Sequence, residues 1–157
     1  MYHAIVRRRI RRLFEAINRG DAQPVLDAFG PDAEHVFIGR DHALAGRRDN
    51  PASIRDWYRR LHAILPDLHF TLHRIDVAGG PWATIAVIEW TETNSGTDGV
   101  QTQTGGVHVV HLRWGRMVRL LILTDTAALE ATLRRTALSS QGLSLAAPID
   151  DRPDWPA

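Results

Sequence analysis

Apolar positions recur first at helical spacing and then at strand spacing. Val6, Ile10, Leu13, Phe14 and Ile17 fall on one side of a helix predicted over residues 2–19, and Arg7, Arg8, Arg9, Arg11 and Arg12 fill the rest. Gly20 ends that helix, and Asp21 caps a second over 22–29, which Gly30-Pro31 stops. A strand is predicted over 33–39, with His35 and Phe37 on one face and Glu34, Val36 and Ile38 on the other. The loop 40–48 is too long for a tight turn, and long loops in compact domains often carry function. His42 is its candidate residue, against the reading of a solvated loop histidine. Asn50 caps a third helix, Pro51 opens it and Pro66 ends it. Its stripe of Ile54, Trp57, Tyr58, Leu61 and Leu65 suits either plain core or a pocket wall.

From there the period changes to two. Strands are predicted over 68–78, 82–93, 101–114 and 116–124, followed by a short helix over 127–137. Gly79-Gly80-Pro81, the run 94–99 and Trp114-Gly115 mark the turns. Helices first and strands afterwards indicate an α+β fold: three N-terminal helices packed on a strongly curved, mostly antiparallel sheet, with a short C-terminal helix. The domain spans residues 1–138. The tail, 139–157, is rich in Ser, Ala, Pro and Asp and is expected to be mobile or draped over the surface.

The hairpin around Trp114-Gly115 carries the chemistry. Pairing Arg113 with Arg116 sets Thr104, Gly106, His108, Val110, Leu121, Leu123 and Asp125 on one face. Val107, Val109, His111, Val118, Leu120 and Ile122 take the other. An apolar face with a carboxylate and an imidazole is the best site candidate. In that register His108 and Asp125 are about 13 Å apart along the strands. They would therefore contact opposite ends of one ligand, Asp125 removing a proton and His108 stabilising the enolate. Asp125 suits equally a helix cap through the amides of Ala127 and Ala128. His108 suits equally a satisfied core histidine. Candidate ligand contacts are Phe37, Trp57, Tyr58, Trp82, Glu89, Trp90, Val110 and Leu121, with Glu89 on either a cavity or a solvated edge.

Composition narrows this further. The 157 residues are 44% hydrophobic and 24% charged with a net charge of +1, an ordinary globular balance with no pull toward nucleic acid or a membrane. The arginines of the first helix read as a solvated face. There is no cysteine, hence no disulfide or thiolate. No metal site is expected, since His69 and His73 are too far apart and His108 and His111 face opposite ways. Residues 1–20 lack the apolar segment of a signal peptide, so the cytoplasm is the expected compartment.

The order of elements, together with Asn18-Arg19-Gly20-Asp21, the run His42 to Gly46, the run Pro66 to Phe70, Pro81-Trp82, Gly106-Val107-His108, the run Arg113 to Arg116 and the run Leu123 to Thr126, resembles the nuclear transport factor 2-like superfamily. Its SnoaL-like, ketosteroid-isomerase-like branch is the most similar, over about residues 5–137. The resemblance implies a cone-shaped cavity, no metal or cofactor, and a homodimer through the outer sheet face, here Val107, Val109, Leu120 and Ile122. In SnoaL-like cyclases an Asp near the end of the last strand is the general base, and Asp125 stands there. Phe14 and Ile17 occupy the helix face where a steroid isomerase would present Tyr, so steroid isomerisation is disfavoured. The expected function is a cofactor-independent acid–base enzyme of cyclase or isomerase type, acting on a small hydrophobic carbonyl compound. The alternative is a non-catalytic ligand-binding or dimerisation module of the same fold.

Overall fold

The computed structural model describes residues 1–153. Helices α1 (Tyr2–Asn18) and α2 (Gln23–Ala28) lead into strand β1 (Phe29–Phe37), β2 (Gly46–Arg48) and helix α3 (Pro51–Ile64). Strands β3 (His69–Gly80), β4 (Ala83–Asn94), β5 (Thr102–Arg113) and β6 (Arg116–Thr124) follow, then α4 (Thr126–Arg135). The six strands form one sheet in the order β2-β1-β6-β5-β4-β3, antiparallel except for the β1–β6 pair. The first strand starts at Phe29, earlier than its apolar alternation predicts, and the long loop folds back to supply β2.

α1 lies along the concave face and buries Val6, Ile10, Ala16 and Ile17. Its end is pinned to the sheet by Asn18, whose amide donates to the Phe70 carbonyl at 2.9 Å and accepts from the Phe70 N–H at 2.7 Å. That side chain thus imitates a neighbouring strand at the outermost strand's start. α3 begins as expected, with the Asn50 side chain accepting from the Ala52 N–H and Pro51 in the first turn. It buries Ile54, Trp57, Tyr58, Leu61 and Ile64.

The β5–β6 hairpin opens as predicted, with Arg113 opposite Arg116, and then departs from the simple register. Leu112 pairs with Met117, but His111 pairs with Arg119, so Val118 is an extra residue. Beyond this bulge His108 lies opposite Ile122, not Leu121, and Gly106 lies opposite Thr124. A one-residue step turns every following side chain to the other face. Met117, Leu120 and Ile122 therefore line the interior, while Leu121 and Leu123 are only half-buried. The physical reason is Arg119. Without the bulge it would share the interior face with Leu121; with it, Arg119 reaches the Glu34 carboxylate at 3.4 Å. The expected interior position of Leu121 and the expected outward positions of Leu120 and Ile122 are corrected accordingly.

Beyond α4 the chain packs on the domain. A short 3-10 turn (Leu143–Leu145) is followed by Ile149, whose carbonyl accepts from the fully buried Arg48 at 2.7 Å. Asp151 accepts from the Asp49 and Asn50 N–H groups and from the Ser53 hydroxyl at the start of α3. Of the tail, residues 154–157 lie outside the described residues.

The hairpin turn holds both Trp114 (φ 51°) and Gly115 (φ 77°) in the left-handed region. That is the type I′ geometry that matches strand twist, and a bulky residue at its first position is strained. Trp114 is 70% exposed, so little packing compensates. Trp114→Asn is expected to raise stability by about 0.5–1 kcal/mol in denaturant unfolding, because Asn tolerates this backbone. Equal or lower stability would mean that the indole contributes more than its exposure implies.

Candidate active site

A cavity of about 180 Å³ lies between α1, α3 and the concave sheet face. Its walls are overwhelmingly apolar: Ile10, Leu13, Phe14 and Ile17 from α1, Trp57, Tyr58 and Leu61 from α3, and Phe37, Trp90, Val110, Leu120 and Ile122 from the sheet. Sheet curvature opens this space, because the inward residues of successive strands point toward one another but do not meet. Among these walls stand a few polar groups, chiefly Glu92, Thr104, His108 and the Tyr58 hydroxyl.

His108 is buried on β5. Its Nδ1 accepts from the Trp90 indole N–H at 2.7 Å, and its ring packs edge-on to Phe14 and Phe70, at 5.1 and 5.9 Å between centroids. Burial holds its pKa down at about 3, so the imidazole is neutral at physiological pH.

Glu92 lies on β4, on the same inward face as Trp90, directly opposite Thr104. One carboxyl oxygen accepts from the Asn94 amide at 2.8 Å. Burial raises its pKa to about 7, against the Asn94 hydrogen bond, which favours the charged form; the negative charge of Asp67 raises it further. The Thr104 hydroxyl is buried with no hydrogen-bond partner among the described residues, and the Tyr58 phenol pKa is pushed up by burial. Glu92 sits four residues along β4 from Ile88, the partner of His108, which places the two levels about 13 Å apart.

Of the expected contacts, Phe37, Trp57, Tyr58, Trp90, Val110 and His108 line this cavity together. The others do not. Asp125 is exposed and caps α4, its carboxylate accepting from the Ala128 N–H at 3.0 Å. The β6 bulge removes it from the His108 face, so of the two readings of Asp125 the geometry favours the cap. Glu89 and Trp82 are exposed, Glu89 on the convex face of β4 and Trp82, at 63%, in the β3–β4 turn. Leu121 faces away for the reason given above. His42 is buried but outside the cavity lining; its Nε2 donates to the Ile38 carbonyl at 3.0 Å and its ring meets Phe37 edge-on. Burial lowers its pKa.

Two features went unread. Glu92 follows Trp90 on the inward alternation of β4, and that alternation was the available signal. The second is a buried pair behind the cavity wall. Arg48 donates from Nε to His35 Nδ1 at 3.0 Å and from its other nitrogens to the carbonyls of Ala45, Gly46 and Ile149. Its guanidinium lies 5.4 Å from the Trp57 ring, which lines the cavity. Burial lowers the Arg48 pKa to about 10 and holds His35 well below its ordinary value. No local pattern in the sequence joins residues 35, 48 and 149.

The comparisons with known proteins meet this geometry. A family model described as the SnoaL-like domain matches residues 10–120. The chain belongs to the SnoaL-like domain family. A crystal structure of a protein of unknown function from Burkholderia pseudomallei, called NTF2-like, is similar with a TM-score of 0.71 and 20% identity, over 80% of this chain and 94% of that one. TerC, co-crystallised with polyporic acid, matches with a TM-score of 0.68 and 19% identity, over 80% and 95%. PrhC from Penicillium brasilianum matches with 0.72 and 12%, over 88% and 94%. At these identities the likeness is one of fold. No curated protein matches the sequence.

Glu92 holds its proton more tightly in the folded chain than in the unfolded one, where its ordinary value is 4.5. This contributes stability at acid pH that is lost as pH rises from about 4.5 through about 7. Glu92→Gln keeps an oxygen for Asn94 and removes the buried ionisation. The variant is expected to be more stable than the parent at pH 8, by about 2–3 kcal/mol, with the difference shrinking toward pH 4. Unfolding curves at both pH values check this; a difference that does not vary with pH would contradict it.

Proposed function

We propose that this SnoaL-like protein is a cofactor-independent acid–base enzyme that moves a proton next to the carbonyl of a small hydrophobic compound, as a cyclase or isomerase does. Glu92 takes the proton from carbon and the electron pair moves onto the adjacent carbonyl oxygen, while the neutral His108, about 13 Å along the strands, donates a hydrogen bond to an oxygen at the other end of the same ligand. The proton then returns from Glu92 to another carbon, or the enolate carbon attacks a second carbonyl of the same compound, whose π pair moves onto its oxygen and takes the proton from Glu92. One observation carries the reading: a carboxyl pushed up to about 7 and an imidazole held down at about 3 face the same apolar cavity. A base with a pKa near the working pH and a neutral donor in a water-poor site is what enolisation requires. TerC, a neighbour in fold, was co-crystallised with polyporic acid, which supports a small-molecule occupant.

The test uses 2-tetralone, an apolar ketone with exchangeable C–H groups, and follows its deuterium uptake by NMR. The parent protein is expected to accelerate exchange, with a rate that rises with pH through about 7 as Glu92 ionises. Glu92→Gln is expected to lose roughly 100-fold or more. Asp125→Asn, at the exposed helix cap, is expected to exchange at the parent rate. If Asp125→Asn were inactive while Glu92→Gln exchanged normally, the base would be Asp125 after all. Binding of 2-tetralone with no exchange above background would favour a ligand-binding module.

We also propose that the chain forms a homodimer through its convex sheet face. Ile85 and Val87 are 45% and 38% exposed there, and Val107, Val109, Leu121 and Leu123 are only half-buried beside them. A contiguous apolar sheet face is unfavourable in water. Light scattering at micromolar concentration is expected to give twice the 17.6 kDa of one chain. A single-chain mass would rule the dimer out.

A further inference from the structure

The two nitrogens of His108 are treated differently by their surroundings. Nδ1 accepts a hydrogen bond from the Trp90 indole. An indole nitrogen only donates, so Nδ1 carries no proton and the ring of the neutral histidine must be protonated on Nε2. That second nitrogen has no hydrogen-bond partner among the described residues, and the ring lines the cavity. Trp90 is itself held on three sides. Phe70 meets it edge-on at 4.9 Å between centroids, His108 accepts its N–H, and its six-membered ring lies on the backbone of Gly106. A Cβ at residue 106 would stand 2.5 Å from the indole. The glycine therefore leaves the floor on which this indole rests.

We propose that Trp90 is a positioning residue that locks His108 in the Nε2–H tautomer, so that His108 presents a neutral hydrogen-bond donor to an oxygen atom of the cavity's ligand. The proposal rests on the acid–base reading of the cavity and adds what makes its donor a donor. Without the indole N–H, a neutral buried imidazole is free to carry its proton on Nδ1. Nε2 would then turn a lone pair toward the ligand and repel a carbonyl oxygen, which can only accept. Phe14 and Phe70 only pack against the ring and cannot distinguish the tautomers. Glu92 lies too far along the strand to accept from His108 directly.

The test replaces one atom group. Trp90→Phe removes the donor but opens a void, so the decisive variant is Trp90→3-benzothienylalanine, in which sulfur takes the place of the N–H and the shape is kept. Histidine labelled with nitrogen-15 reports the tautomer of His108 through its long-range proton–nitrogen correlations. The parent is expected to show Nε2–H alone, and the variant a mixture in which Nδ1–H is readily detected. The probes are 2-acetylnaphthalene, whose ketone oxygen only accepts hydrogen bonds, and 2-ethylnaphthalene, which has nearly the same shape and no oxygen. The variant is expected to bind 2-acetylnaphthalene about fivefold more weakly while 2-ethylnaphthalene binding is unchanged.

If the variant keeps His108 entirely as Nε2–H, if both probes weaken equally, or if the parent shows no preference for 2-acetylnaphthalene, Trp90 is a packing residue and the proposal is overturned. The acid–base reading fails separately, because Glu92→Gln can lose or keep the exchange of 2-tetralone without any change in the His108 tautomer.

Discussion

A guanidinium facing an apolar cavity would lose its hydration and gain no partner. Strand β6 avoids this by inserting Val118 between two paired residues, so that Arg119 leaves the interior and meets Glu34. The consequences spread along the strand. Leu120 and Ile122 become the inward residues beside His108 and Val110, and Asp125 arrives at the start of α4 as its exposed cap. A bulge also increases local twist and bends the strand. A second irregularity, between Leu72 and Arg74 in β3, does the same near the sheet's other edge. The interior face and the curvature that opens the cavity therefore share a cause.

The wall opposite the sheet depends on a different buried guanidinium. Arg48 is fully buried and, among the described residues, has no carboxylate in hydrogen-bond contact; its donors are satisfied by three carbonyls and by His35. Bonds to a charged donor are stronger than neutral ones, and a buried charge left unsatisfied is severely destabilising. The segment carrying the Ile149 carbonyl is thereby tied to β1, β2 and, through the Trp57 ring, to the cavity wall. Asp151 makes a second tie at the start of α3. The residues after α4 thus act as part of the scaffold that fixes Trp57.

Most of the architecture was legible because it follows from local rules. The spacing of Val6, Ile10 and Ile17 marks α1, Asn50-Pro51 and Pro66 bracket α3, and the glycine-bearing turns separate four alternating strands. The site was legible only in part. His108, Trp90, Trp57, Tyr58, Phe37 and Val110 were found because alternation and stripe positions determine which way they point. An uninterrupted register puts Asp125 on the His108 face, where pocket base and helix cap are both open to it, and the warning lies in Arg119, which the same register puts on the apolar face beside Leu121. Glu89 drew attention as a charge among apolar neighbours, although Glu92, three residues on, shares the face of Trp90. The Arg48–His35–Ile149 contact joins distant stretches and follows from tertiary packing, which no window of sequence displays.

The two perturbed groups of the cavity place different demands on the fold. An unfolded histidine is already mostly neutral at pH 7, so holding His108 neutral by burial carries little penalty there; it opposes folding only as pH falls below about 6.5. An unfolded glutamate is charged at pH 7, so burying Glu92 opposes folding at that same pH. A chain under no functional constraint would lose nothing by placing an uncharged residue at position 92, and the apolar walls around it would accept one. Thr104 repeats the pattern, a buried hydroxyl opposite that carboxyl with no partner among the described residues. Unsatisfied polar groups inside otherwise apolar walls are destabilising where nothing else meets them. Glu92 and Thr104 stand together at one end of the cavity, about 13 Å along the strands from His108, and this spread of polar groups through apolar walls is what the proposed ligand, spanning the cavity, would satisfy.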